Sequence, residues 1–426
     1  MNKKILYAAI LVVILVSAIA ATYYVTTLSL ENTNKITLTV VSQYGAGSIQ
    51  DAFNQVLDDF MAKYPNIYVK HQPMDQTTFN TVMPIWLKSG DAPDVFQWLG
   101  GAQTQVFVDA GYLGDISSIY DSIKGDFSPA VQNQIMIYNG KPYAVPLSSL
   151  IYGCFYNKDI FTKYEISVPK TYDELLAACQ TIKEKSGGSV SPFMIAAGFP
   201  WLADETLTSI MSRAVSASYM RDLVDGKASW TEPQAEQCIK YFSDLVPYLY
   251  PGSTELTDYD AAAAFARGDV AMEFIGPWRY GMILDNNAKA NIGWFPTPSI
   301  NSAYDKQLAA HSDIFVMAKD TPYPEESKLL LKYIASPEAQ KTFGLISNQP
   351  VPNLKVDTSG FGPVMTEIMK SGDGATDVVM EIGLMSINQQ AKNDARSLLQ
   401  KLIIGTESYT QVAADFAKLP WGQPNT

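Results

Sequence analysis

Two histidines, His71 and His311, are all the imidazole that this chain contains. That leaves no basis for a multi-histidine zinc site, and any relay chemistry would have to run through one of the two. The three cysteines, Cys154, Cys179 and Cys238, are an odd count without a CxxC pair. Cys179 shares a helical stripe with Tyr172, Leu175, Leu176 and Ile182, and Cys238 shares one with Ala235, Ile239, Phe242 and Leu245. Both read as small buried apolar residues, with one disulfide among the three left open. Asp58 and Asp59 are the most visible acidic pair, but they lie opposite a clean apolar stripe and read as a solvated face. A glycosidase would need two carboxylates across a cleft, roughly 5–10 Å apart. No G-x-S-x-G elbow and no phosphate loop occurs. The residue chemistry therefore predicts a protein that is not an enzyme and needs no cofactor or metal.

The 426 residues suggest two or three domains. Hydrophobic residues make up 47%, enough for a large core, so disordered and collagen-like classes are excluded. The net charge of −12 would repel a phosphate backbone, which argues against nucleic acid as a partner. Charged residues are only 17%, so Ser, Thr, Asn, Gln and Tyr supply most of the polarity. At the N-terminus, Lys3 and Lys4 precede an uncharged run from Ile5 to Leu30. Ile5–Leu28 is long enough to cross about 30 Å of hydrocarbon as an apolar helix. The two lysines on its N-terminal side place the remaining residues on the outer face. Ala18-Ile19-Ala20 also fits a cleavage site, so residues 1–30 read as a membrane anchor or a signal peptide. Either way the rest of the chain is expected at the extracellular face of the cell membrane.

Further along, strand and helix patterns alternate. Lys35–Val41 reads as a strand, and Ser48 as the cap of a helix to about Tyr64 with apolar residues at i, i+3, i+4 and i+7. Ile67–Lys70 and Asp94–Trp98 read as strands, and Phe79–Lys88 and Gln103–Ala110 as helices. Thr171 and Glu174 have capping-box spacing at the start of a helix to Lys185, and another helix is expected over Glu232–Leu249. This α/β repetition predicts a parallel sheet covered on both faces. Ligands of open α/β sheets sit beyond the carboxyl ends of the strands. Gln43 and Tyr44 leave the first strand, and Gln97 and Trp98 end the third. Those four are the first candidate ligand contacts.

Several ordered segments resemble the extracellular solute-binding proteins of carbohydrate ABC importers, the group that contains the maltodextrin-binding proteins. Ser89-Gly90-Asp91-Ala92-Pro93-Asp94-Val95 is similar to their sG.aPDv stretch, and Ala110-Gly111-Tyr112-Leu113 to aGyL. Asn139-Gly140-Lys141-Pro142-Tyr143-Ala144-Val145-Pro146 resembles GK.YavP. Tyr156-Asn157-Lys158-Asp159 with Pro169-Lys170-Thr171-Tyr172-Asp173-Glu174-Leu175 resembles YNkd…P.TwdEl. Gly268-Asp269-Val270-Ala271-Met272 with Gly276-Pro277-Trp278 resembles G.aAM…GpW. The resemblance implies a two-lobe periplasmic-binding-protein-like fold of type II, with a hinge of three crossovers. Residues 36–146 with 316–346 would form the N-terminal lobe, and 147–315 with 347–426 the C-terminal lobe. It also implies a sugar or oligosaccharide in the inter-lobe cleft, delivered by a monomer to ABC permease subunits in the membrane. A polyamine or other small non-sugar solute is the alternative.

A sugar presents C–H faces and hydroxyl edges, so its site needs flat rings and hydrogen-bonding side chains. Trp98, Trp201 and Trp278 stand where the family places aromatic contacts, whereas Trp86, Trp230, Trp294 and Trp421 read as packing. Ser149 and Tyr152 lie at the implied first crossover. Asp204, Arg279, His311 and Asp313 complete the polar candidates. The family's Gly-Gly is replaced here by Ala309-Ala310-His311-Ser312, and the loop Leu99-Gly100-Gly101-Ala102 carries none of the carboxylates of maltodextrin binders. Maltose specificity is therefore not expected, and so few acids among the candidates point to a neutral ligand.

Overall fold

The computed structural model describes residues 35–423 except Asp373, together with Ser17. The expected anchor or signal at 1–30 lies outside the described residues apart from Ser17. Among the described residues, no helix is long and apolar enough to cross a membrane.

A five-stranded sheet runs in the order Ile67–Pro73, Ile36–Ser42, Val95–Leu99, Asp313–Met317, Ala144–Pro146. The first three strands are parallel, as the alternating pattern predicts. Asp313–Met317 is antiparallel to both of its neighbours, so the sheet is mixed rather than parallel. The reason is topological: this strand comes back from the other half of the molecule and enters from the opposite end. A four-stranded sheet has the order Ile292–Pro296, Gly153–Asn157, Val270–Ile275, Ser191–Met194.

Both faces of the five-stranded sheet are covered. On one, Leu38 and Val40 pack with Phe53, Val56 and Phe60 of the Gly47–Lys63 helix and with Phe343. Phe53 stacks on Phe315 at 4.7 Å. Burying one such ring is worth about 1.5–3 kcal/mol. On the other face, Val41, Phe96, Trp98 and Ile314 meet Phe79, Met83 and Phe107. The four-stranded sheet likewise lies between a core with Cys154, Phe193 and Phe274 and a core with Phe155, Ile275 and Trp294. All three cysteines are free and buried, as small apolar residues would be. Trp230, Trp294 and Trp421 are buried too.

The chain passes between the two sheets after Pro146, again between His311 and Asp313, and a third time between Val356 and Val364, later than the boundary expected at 346/347. Val351 and Val356 still pack in the core beneath the five-stranded sheet, whereas Val364 and Met365 pack with the four-stranded one. The lobe boundary expected at 315/316 falls inside the Asp313–Met317 strand.

Local signals predict the elements with four exceptions at their ends or caps, one being the strand expected over Ile67–Lys70, which runs on to Pro73. The capping box of Thr171 and Glu174 forms, and its helix spans Tyr172–Ser186. The helix over Gly47–Lys63, however, has Ala46 at its cap position, without a side-chain cap. Ser48 instead donates to Asp285 Oδ2 at 3.3 Å, on the Trp278–Asn286 helix. The Pro233–Leu245 helix stops short of Leu249 and tightens into a 3-10 turn at Val246–Tyr248. Pro247 has no N–H to continue the ladder. The helix expected over Phe79–Lys88 starts earlier, spanning Gln76–Ser89, because Asp75 accepts a bond from the Thr78 amide.

Candidate functional site

The carboxyl ends of the five-stranded sheet gather one polar group. Gln97 Oε1 accepts from the Gln43 amide at 2.8 Å, and Gln97 Nε2 donates to Asp313 Oδ1 at 2.9 Å. The Tyr44 hydroxyl and Ser148 Oγ donate to Asp313 Oδ2 at 3.1 and 3.2 Å. Burial pushes the Asp313 carboxyl up to about 6, with its three donors pulling the other way. Tyr44 is raised well above its ordinary range by burial and by that carboxylate. Behind them, Ser42 bonds His71 at 2.8 Å, and burial lowers His71 to about 4. Gln43 Oε1 is buried without a partner.

Trp98 stands apart from this group. Successive strand residues point to opposite faces, so Gln97 reaches Asp313 while Trp98 turns to the other core. Its ring lies between Phe79 at 5.5 Å and Phe107 at 4.8 Å and is 5% exposed. In this structure Trp98 is a packing residue.

The second group is aromatic. Trp201 and Trp278 each occupy the first position of a helix, after Pro200 and Pro277. Proline there presets the helical φ and gives up an N–H that would have no partner. The two indoles approach to 5.8 Å. Trp278 also meets Tyr152 edge-on at 6.3 Å and His311 at 5.9 Å. The Tyr152 hydroxyl bonds His311 Nδ1. Burial lowers His311 to about 3, so this imidazole is neutral. Gly276 makes the arrangement possible: a Cβ there would stand 1.8 Å from Trp278 Cζ3. Both tryptophans keep part of their surface exposed. Ser149 is tied by its amide to Pro350 O at 2.9 Å, so the first inter-sheet passage is stitched to the segment after the Pro337–Ser347 helix.

Two charged candidates are turned inward. Arg279 is fully buried and pairs with Glu273 at 2.9 Å and Asp258 at 2.7 Å. Asp204 accepts from Arg396 at 3.2 Å and from the Gly383 amide at 3.0 Å. Arg396 also pairs with Glu381. Both side chains are therefore committed to partners within the protein.

The sequence pattern does not single out Glu205. It is fully buried, and neither of its carboxyl oxygens has a partner. On the Trp201–Ala214 helix, Asp204, Glu205, Thr208, Ser209 and Ser212 recur at i, i+1, i+4, i+5 and i+8. Such a stripe looks like a solvated face in sequence, yet here all five residues are buried. Glu381 and Arg396 escape notice because one is a lone acid between Met380 and Ile382 and the other lies in a polar helix pattern, and nothing in the sequence pairs them.

The pattern of the family described as bacterial extracellular solute-binding protein matches residues 46–341. An uncharacterized ABC transporter extracellular-binding protein of Pyrococcus horikoshii is 27% identical over 339 residues, 78% of this chain and 75% of that protein. The melibiose/raffinose/stachyose-binding protein MelE of Bacillus subtilis is 25% identical, over 76% of this chain and 77% of its own. Among solved structures, the bacterial solute receptor AcbH, described as preferring β-D-galactopyranose, superposes with a TM-score of 0.83 at 21% identity. That likeness covers 89% of this chain and 97% of AcbH.

Proposed function

This chain belongs to the bacterial extracellular solute-binding protein family, and from that membership we propose that it is the sugar-capturing component of an ABC transporter. The observation that carries this reading is the convergence of Trp201, Trp278, Tyr152 and His311 where the chain passes between the two sheets. Ring faces of this kind match the C–H faces of a pyranose, and Gln43, with an unpartnered buried oxygen just after the Ile36–Ser42 strand, supplies hydrogen bonding. The two sheets are then the centres of two lobes, and hinge closure over the ligand presents the loaded form to the permease. ATP is hydrolysed by other subunits, and this chain transforms nothing. The N-terminal apolar run retains it at the outer membrane face. Relatives that bind melibiose, raffinose and stachyose support an oligosaccharide.

A non-sugar cation such as a polyamine is the second reading. It is favoured by an observation the sequence had hidden: Glu205 is a buried acid with no hydrogen-bond partner at either oxygen, whereas Asp204, Asp258, Glu273 and Glu381 are paired with arginines.

The test is a thermal-shift screen with melibiose, raffinose, stachyose, galactose, xylotriose and spermidine. A ligand at 100 times its Kd adds about 2.7 kcal/mol of stability. A shift with one sugar class, reduced tenfold or more in affinity by Trp278→Ala, is the expected outcome; a tenfold loss is about 1.4 kcal/mol. A shift with spermidine alone would replace the sugar by a cation. Unchanged affinity in Trp278→Ala would remove the indole from the site.

A further inference from the structure

Asp313 is a buried carboxylate without a cation. It is 4% exposed, and among the described residues no ion pair reaches it. Its holders are neutral: Gln97 at one oxygen, and the Tyr44 hydroxyl and Ser148 Oγ at the other. All three are buried as well. A buried charge held by neutral groups alone is costly to a fold. No amide can take its place, because asparagine accepts at one terminal atom and donates at the other.

The donors fix one another's orientation. The Gln43 amide can only donate, so it requires the side-chain oxygen of Gln97, which it meets at 2.8 Å. The other terminus of that side chain is then its NH2 group, which meets Asp313 Oδ1 at 2.9 Å. A carboxylate oxygen can only accept, so the Gln97 amide has one permitted orientation. Asp313 thus holds the Gln43 backbone at one remove and Tyr44 directly. These are the two residues that leave the Ile36–Ser42 strand.

The same carboxylate is tied to the passages between the sheets. Asp313 ends the second passage, and Ser148 lies in the first. Their bonds are reciprocal: Ser148 Oγ donates to Asp313 Oδ2 and accepts from the Asp313 amide at 3.1 Å. The Leu147 amide adds a bond to Asp313 O at 2.9 Å. One residue therefore joins two inter-sheet passages to the carboxyl end of the first strand.

We propose that Asp313 is a positioning residue for ligand capture: it fixes the Gln97 amide, through it the Gln43 segment, and so locks this wall of the site to both passages. It acts through its neighbours and does not touch the ligand. The inference rests on the reading of this region as part of a sugar site. Asp313→Asn turns one terminal atom into a donor. Placed against Gln97, that donor forces the Gln97 amide to turn over, and the Gln43 amide then faces an NH2 group. Placed the other way, it opposes Tyr44 and Ser148. Adding Gln97→Glu removes the conflict. The carboxylate introduced at position 97 accepts from the Gln43 amide and from the NH2 group introduced at position 313, whose oxygen still serves Tyr44 and Ser148. The charge of the pair is unchanged.

The test compares the full-chain wild type, Asp313→Asn and Asp313→Asn/Gln97→Glu at pH 8. Amide hydrogen exchange reads the Gln43 backbone, and calorimetry reads affinity for melibiose, raffinose, stachyose, galactose and xylotriose. In Asp313→Asn the Gln43 amide should exchange about tenfold or more faster relative to the Val40 amide of the same strand, the loss of one buried hydrogen bond. Affinity for the sugar that the wild type binds should fall about tenfold or more. The double variant should return both readouts to within about threefold of the wild type. A purely structural role would lower stability in urea while the exchange ratio and the affinity of the folded protein stay unchanged, and that result overturns the inference. A double variant no better than the single one overturns it as well. Should Asp313→Asn fail to fold, a folded double variant with a protected Gln43 amide supports the inference, and its absence overturns it. Silence of the wild type towards every sugar overturns the sugar reading alone, and the exchange ratios then decide this inference.

Discussion

At the scale of single residues, the site separates candidates by where their hydrogen bonds already end. Arg279 and Asp204 are held by protein partners, whereas Gln43 Oε1 and the Glu205 carboxyl oxygens have none. Asp313 is the residue on which three segments converge, through Gln97, Tyr44 and Ser148. Its carboxyl group sits at about 6 in the fold, above the ordinary 3.8. An acid raised in this way contributes stability that is complete below about pH 4 and lost as the pH rises to about 6. That difference of about two pH units corresponds to about 3 kcal/mol. Asp313→Asn cannot accept from all three donors and should be less stable than the wild type at pH 4. That deficit should shrink by up to about 3 kcal/mol by pH 7, as read from urea unfolding at the two pH values. A deficit independent of pH would show that Asp313 does not titrate in this range.

At the scale of elements, the Gly-Pro-Trp turn matters more than its length suggests. Gly276 follows the Val270–Ile275 strand, Pro277 takes the cap position before the helix, and the Trp278 ring folds back over the glycine. Gly276→Ala should drive the indole away from Tyr152 and Trp201. Sugar affinity should fall about tenfold or more, since a misplaced platform loses its stacking contact. Near-ultraviolet circular dichroism should change while the far-ultraviolet spectrum persists. An unaltered near-ultraviolet signal would mean that the ring tolerates the methyl group. The resemblance to GpW-containing relatives pointed at the tryptophan. The need for the glycine came only from the folded path of the ring.

At the scale of the whole molecule, one close contact joins the two sheet-centred units at Gly101. Gly101, at φ +92, starts the Ala102–Asp109 helix, and a Cβ there would stand 2.8 Å from Met380 Sδ and 3.3 Å from Leu384 O. Met380 packs into the core that holds Trp98. Gly101→Ala therefore meets both a backbone conformation unfavourable by about 1–2 kcal/mol and a steric block between units. Small-angle scattering should show a larger radius of gyration for the variant, with weaker sugar binding. An unchanged radius with unchanged affinity would show that this contact does not govern closure.

The local elements, the burial of Cys179 and Cys238 on their helical stripes and the ordered family segments were legible in the sequence, because these depend on spacing within a few residues, whereas the open question of a disulfide was decided by the fold. So was the membership of Tyr152, Trp201, Trp278 and His311 among the candidates, with Gln43, Tyr44, Gln97 and Asp313 beside them. Tertiary structure decided how those residues sort: strand alternation sent Trp98 into a core, and ion pairs withdrew Arg279 and Asp204. It also made the returning strand antiparallel and buried the polar stripe that carries Glu205. The physical reason is that a polar residue looks the same in sequence whether water or another lobe faces it. Only the contacts made by segments distant along the chain, such as Glu381 and Arg396, distinguish the two.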